Sequence, residues 1–204
     1  MTRTVLVAYG SKKGPTAEIA RFIASIRCDE GVKADARPAA EVGDIRPYEA
    51  VVLGGALRMG RWHRDARRFA RRHRHALAGR PLWLFSSGPL DRSALERDIP
   101  AVRGVHQVER RLGALEHLTF GGRPADGAGG RIARVILEED GDDCRDFKRI
   151  AMWAECIAAY LTAIPKRART GPVGAVGRAA RPFLDADRVT DAENRQRPRR
   201  TTGE

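Results

Sequence analysis

Val5-Leu6-Val7-Ala8-Tyr9 runs straight into Gly10-Ser11-Lys12-Lys13-Gly14-Pro15-Thr16, and the fold turns on how these twelve residues are read. A short, unbroken apolar run suits a strand covered on both faces, and Gly10 ends it. From Thr16 onward Ile19, Ala20, Ile23 and Ile26 recur at helical spacing, with Glu18 and Arg21 between them. The unit is strand, tight turn, helix. The same alternation continues down the chain. Val32, Ala34 and Ala36 alternate with Lys33, Asp35 and Arg37 before Pro38 stops the run, as in a half-exposed edge strand. Ala50 to Gly55 and Pro81 to Ser86 read as buried strands, and Leu118-Thr119-Phe120 as the last one. Helices are expected over 64–78, where Ala66, Phe69, Ala70 and Leu77 face inward, and over 103–114. A closing helix carries the stripe Ile150, Ala154, Ile157, Ala158 and Leu161, with Asp142 and Asp143 as caps and Pro165 just beyond. Strands alternating with helices predict an α/β fold, an open parallel sheet with helices on both faces.

The folded domain is expected to occupy residues 1–165 of the 204, and 166–204 to form a basic, disordered tail with Phe183-Leu184 as its docking point. Cys28, Cys144 and Cys156 lie far apart with no CxxC, which argues for a reducing cytoplasm and against a disulfide framework or a thiolate metal site. No apolar stretch approaches the ~20 residues of a spanning helix, and the N-terminus lacks a signal-like core, so a cytoplasmic protein is expected. The net charge of +12 is unevenly spread: residues 56–80 hold nine Lys/Arg against one acid, and 166–204 ten against five. Arginine outnumbers lysine 33 to 5, the bias of a GC-rich coding sequence, and no aromatic-interleaved basic motif points to nucleic acid.

In an open parallel sheet ligands bind beyond the carboxyl ends of the strands. Three loops there stand out. Gly10 to Thr16 suits a phosphate: small residues let amides converge, Ser11 and Thr16 offer hydroxyls, and a helix N-terminus faces the ligand. It has neither the GK[ST] of a Walker loop nor GxGxxG. An ordinary strand-to-helix turn with Gly and Pro would read the same way. The second loop is Gly55-Ala56-Leu57-Arg58-Met59-Gly60-Arg61-Trp62-His63, and the third is Ser86-Ser87-Gly88-Pro89-Leu90-Asp91.

With VLVAY before it, SKKGPTAEIA resembles the phosphate loop of the flavodoxin family, whose pattern is Thr/Ser-x-Thr-Gly-x-Thr. The resemblance spans residues 3 to about 163. It implies a five-stranded parallel sheet of order 2-1-3-4-5 and flavin mononucleotide (FMN) as cofactor. It places Ser11, Lys12, Lys13, Gly14, Pro15 and Thr16 at the phosphate. The isoalloxazine would lie between Ala56, Leu57, Arg58, Met59, Gly60, Arg61 and Trp62 on one side and Ser86, Ser87, Gly88, Pro89, Leu90 and Asp91 on the other. GALRMGRWH, PLWLF, FGGR and RDFKRIAMWAECIA are further similar to the flavodoxin-domain branch that contains menaquinone-dependent protoporphyrinogen dehydrogenase, although Met59 stands where that branch has an aromatic. Trp62 is then the candidate for offset stacking on the ring.

Two departures from the family pattern matter chemically. Pro15 has no N–H to offer a phosphate, and Lys13 replaces a short hydroxyl residue, so Lys12 and Lys13 are expected to supply the missing donor by charge-assisted contacts. Arg58, Arg61 and the arginines of 64–78 put positive potential near the ring, favouring a negatively charged reduced flavin and carboxylate-bearing substrates. His63 is the nearest titratable side chain and the one catalytic candidate. The expected activity is an FMN-dependent oxidoreductase or electron carrier, in its narrowest form a quinone-linked protoporphyrinogen dehydrogenase of heme biosynthesis. Its partners would be a small redox substrate, a redox protein or a quinone, with peripheral contact at the inner face of a membrane. The alternative is a basic polyanion-binding or flavin-free interaction protein on the same scaffold.

Overall fold

The computed structural model describes residues 2–11, 14–26, 31–88, 98–121 and 146–164. Along the chain run β1 (Arg3–Gly10), α1 (Pro15–Ser25), β2 (Val32–Pro38), β3 (Ala50–Arg58), β4 (Arg61–Trp62), α2 (Arg64–Arg72), α3 (Arg74–Ala78) and β5 (Leu82–Ser87), then α4 (Arg103–Leu112), β6 (Glu116–Phe120) and α5 (Phe147–Ala163). The five long strands are parallel in the order β2-β1-β3-β5-β6. This is the expected order of the long strands, but the strand count among the described residues is six. The addition is β4, two residues antiparallel to the end of β3.

Other boundaries shift for local reasons. The helix expected over 64–78 is two helices, broken at His73, whose φ of −98° and ψ of 16° leave the helical region. The cap of α5 is Asp146, whose carboxylate accepts the Arg149 N–H at 2.9 Å. Asp142, Asp143, Pro165 and the tail 166–204 lie outside the described residues. So do Cys28 and Cys144, while Cys156 is a free thiol. Among the described residues no helix is long and apolar enough to cross a membrane.

The sheet separates two cores. On one side α1 and α5 bring Ile19, Phe22, Ile23, Ile150, Trp153 and Leu161 against Val5, Val7, Val52 and Phe85. On the other, Ala66, Phe69, Leu77 and Val105 from α2, α3 and α4 meet Leu6, Leu53, Leu82 and Leu84. Alternate residues of one strand feed opposite cores, which explains why the central strands read as continuous apolar runs. β2 pairs with β1 alone and alternates half-buried with exposed residues, as an edge strand should.

The glycine pair in β3 is set by both cores at once. A Cβ on Gly54 would lie 2.0 Å from Phe85 Cζ, and one on Gly55 would lie 2.5 Å from Trp62 Nε1. Each glycine makes room for an aromatic ring on its own side of the sheet.

Candidate functional site

The carboxyl ends of β1, β3 and β5 carry the three loops, and two close contacts draw them together. At the base of the first loop, a Cβ on Gly10 would stand 2.7 Å from the Ala66 backbone nitrogen, so α2 packs directly on the chain there. Between the second and third loops, a Cβ on Gly88 would lie 3.4 Å from Leu57 Cβ. Gly88 N–H also donates to Phe120 O at 2.9 Å, tying the third loop to β6. Ser11, Gly14, Thr16, 56–63 and 86–88 are thus all placed at one end of the sheet. Lys12, Lys13, Pro89, Leu90 and Asp91 lie outside the described residues.

In the first loop Gly14 has φ 117° and ψ −164°, a region that side-chain-bearing residues avoid, and a Cβ there would meet nothing within 4 Å. It is the N-cap of α1 and no side chain caps it. Pro15 at the first helical position brings no N–H, and the Ala17 and Glu18 amides turn back to Gly14 O at 3.0 and 3.3 Å. Thr16 is buried beneath this turn. An open, uncapped helix start of this kind can receive an anion.

The second loop is a hairpin. Leu57 pairs with Trp62 and Arg58 with Arg61, and the connecting Met59 and Gly60 have φ of 49° and 70°. Both turn residues are left-handed, the geometry of a tight two-residue hairpin turn. Met59 is the exception to the residue preference there, and its side chain is 99% exposed. Trp62 is 2% exposed, its indole laid over Gly55 and joined to the core beneath α2. The ring braces the hairpin from below, and among the described residues its buried Nε1–H has no hydrogen-bond partner.

His63, the catalytic candidate, is the N-cap of α2. Its Nδ1 accepts the Asp65 N–H at 3.3 Å and lies 3.6 Å from the Asp65 carboxylate, while the His63 backbone N–H donates to Ala56 O at 2.9 Å. That arrangement closes the hairpin onto the helix and is structural in itself.

Sequence reasoning passed over His117 and Glu116. The registered row Gly10, Gly55, Ser86 and Thr119 crosses the sheet at its carboxyl end. Two residues before Thr119, His117 reaches Ser86 with its Nε2 2.9 Å from Ser86 Oγ. Burial pushes the His117 imidazole down to about 4, so it is neutral at neutral pH. Ser86 is fully buried, and Thr119 Oγ1 is buried without a partner among the described residues. On the opposite face Glu116, also buried, accepts the Trp153 Nε1–H at 2.7 Å. Two adjacent polar residues opening EHLTF hide a strand whose apolar part starts at Leu118; the alternation of His117 and Thr119 with Leu118 and Phe120 is the signal that finds it.

These residues fit a flavin nucleotide in three respects. The first loop leaves open space at an uncapped helix start, the second and third loops touch at Leu57 and Gly88, and the Trp62 N–H is an unused donor beneath them. The flavodoxin domain family profile matches residues 6–121. No curated protein sequence matches the chain. Among solved structures, a flavodoxin from Pseudomonas aeruginosa is 18% identical with a TM-score of 0.53, over 78% of this chain and 99% of its own. An archaeal flavodoxin is 14% identical with a TM-score of 0.53, over 78% and 98%. The apo form of an NADH:FMN oxidoreductase is 13% identical with a TM-score of 0.55, over 80% and 92%. At such identities these likenesses concern the fold, and the profile match settles the lineage: the chain belongs to the flavodoxin domain family.

Proposed function

We propose that the protein is an FMN-binding oxidoreductase. The convergence of three post-strand loops, fixed by Gly10 against Ala66 and Gly88 against Leu57, carries this reading. Ser11, Gly14 and Thr16, with Lys12 and Lys13, would hold the phosphate at the start of α1. Ala56 to Trp62 and Ser86 to Asp91 would flank the ring, with Pro15 setting the first helical turn. Flavin, when bound, supplies the hydride or electron transfer. The chain's residues bind and orient it: Trp62 braces the hairpin, His63 locks the hairpin to α2, and the exposed Arg58 and Arg61 favour negative charge beside the site.

The narrower proposal is oxidation of protoporphyrinogen with a quinone as acceptor. It rests on the likeness of GALRMGRWH and the later motifs to that branch, and on the match between exposed arginines and a substrate bearing carboxylates. Purified protein is expected to be yellow, or to give a saturable heat with FMN in calorimetry. Colourless protein that gives no heat at a saturating dose would sink the FMN reading and leave the polyanion-binding alternative. Flavin bound but not reduced by protoporphyrinogen would reject the narrower activity alone.

The two lysines of the first loop give a sharper test. Hydrogen bonds to charged groups are worth about 1.5–3 kcal/mol, so Lys12→Ala combined with Lys13→Ala should weaken FMN by about tenfold or more. Riboflavin, which lacks the phosphate, should be nearly unaffected. Equal losses for the two ligands would remove the lysines from the phosphate site.

A further inference from the structure

The row Gly10, Gly55, Ser86 and Thr119 carries polar groups into an apolar core. Side chains alternate between faces along a strand. Leu53 and Leu84 belong to the core under α2, α3 and α4, whereas Phe85, Leu118 and Phe120 belong to the opposite one. Gly55, Ser86, His117 and Thr119 therefore all lie on the α2–α4 side. Trp62 is part of that same core, and its Nε1 stands 2.5 Å from where a Cβ on Gly55 would be. Gly55 is registered with Ser86 and Ser86 with Thr119, and neighbouring strands lie ~4.8 Å apart. The indole N–H and the two hydroxyls are thus consecutive neighbours on one face. Trp62 and Thr119 are each 2% exposed, and neither Trp62 Nε1 nor Thr119 Oγ1 has a hydrogen-bond partner among the described residues. A buried polar atom left bare forfeits its hydration with nothing in return.

We propose that this row binds one internal water, which accepts the Trp62 Nε1–H, donates to Ser86 Oγ and pairs with Thr119 Oγ1. The hydrogen bonding balances. Ser86 Oγ lies 2.9 Å from His117 Nε2, and the neutral ring, in the tautomer with a bare Nε2, takes the serine proton. The Ser86 oxygen then keeps its lone pairs for the water. Three partners is the usual number for a buried water. Room comes from Gly55, which presents no side chain, and from the short side chains of Ser86 and Thr119. An apolar ligand would leave the polar groups bare, and a charged one would be buried with no opposite charge in the row. Gly55 and Ser86 are the roots of the second and third loops, so the water couples the β3–β4 hairpin to β5 and β6. Through it the Trp62 donor serves the base of the third loop.

A crystal structure of the full chain tests this directly. One ordered peak is expected ~2.7–3.2 Å from Trp62 Nε1 and from Ser86 Oγ or Thr119 Oγ1. Thr119→Ser keeps the hydroxyl and should keep the peak, while Thr119→Val, of the same shape, should lose it. No peak in the parent, or a direct protein partner on Trp62 Nε1, overturns the proposal. Stability gives a second reading. Thr119→Val strips a bound water of a partner and should lower the thermal midpoint by about 2–4 °C. In a dry core the same change deletes a bare hydroxyl, so an unchanged or raised midpoint overturns the water. The effect on the loops rests on the FMN reading: Thr119→Val should weaken FMN and riboflavin by the same factor, about fivefold, because the ring loops and not the phosphate are loosened. Lost water with unchanged flavin affinity overturns that coupling. A parent that binds no flavin sinks the FMN reading alone, and the peak and the midpoint still decide the water.

Discussion

Gly54→Ala is expected to destabilise the protein by about 3 kcal/mol or more, lowering the thermal midpoint by ~10 °C. The added methyl group would meet three atoms of the Phe85 ring, at 2.0, 2.2 and 2.6 Å. Phe85 is fully buried and has little room to yield, with Phe120 and Trp153 at ring separations of 6.0 and 6.3 Å. Overpacking a close-fitting core forces side chains off their rotamers or shifts the backbone. Gly104→Ala is the control, since a Cβ there meets nothing within 4 Å and the residue lies in α4. That change should be neutral or stabilising by about 0.5–1 kcal/mol. Scanning calorimetry on both variants decides the point; a midpoint for Gly54→Ala within a few degrees of the parent would mean that the Phe85 ring repacks freely.

Acidification is expected to destabilise the fold through His117. Its folded-state value of about 4 lies below the 6.5 of a free imidazole, so the unfolded chain takes up a proton first as pH falls. The stability tied to the neutral ring is complete above about pH 6.5 and drains away as pH approaches 4, by up to ~3 kcal/mol. His117→Gln keeps an amide for the Ser86 hydroxyl and cannot titrate. Carboxylates titrate in parent and variant alike, so urea unfolding at about pH 7 and about pH 4.5 isolates the imidazole. The parent should lose ~2 kcal/mol more than the variant over that interval; parallel losses would show that the ring is already protonated in the folded state.

What the sequence revealed and what it concealed divide along physical lines. β1, β3 and β5 were legible because a strand buried on both faces needs apolar residues at every position, and β2 was legible because an edge strand does not. The glycine-rich turn into α1 was legible because Gly14, at a φ of 117°, takes a backbone conformation that residues with a Cβ avoid. The β4 hairpin was not, because its turn is Met59-Gly60 where asparagine or aspartate would have announced it. The break at His73 was hidden since the Arg-rich pattern continues through it. Glu116 and His117 masked the start of β6, as their burial depends on Trp153 and Ser86, partners 37 and 31 residues away. The burial of Trp62 was not legible either: a tryptophan beside a loop can face outward or prop the loop, and the bare Gly55 beneath it is what lets the ring fold inward. All the cofactor-binding residues belong to the proposal, and of these Lys12, Lys13 and residues 89–91 lie outside the described residues.

The division of the core into two sides also imposes a schedule on synthesis. Every residue that α2, α3 and α4 contribute to their side has been made by Leu112, and β6 follows by Phe120. The opposite side waits for Ile150, Trp153, Ile157 and Leu161. A nascent chain halted after β6 would present Val5, Val7, Val52 and Phe85 with α1 as their one helical cover among the described residues, an apolar surface of the kind chaperones hold. The last helix is thus a lid whose late arrival sets how long the newborn polypeptide needs protection from its neighbours.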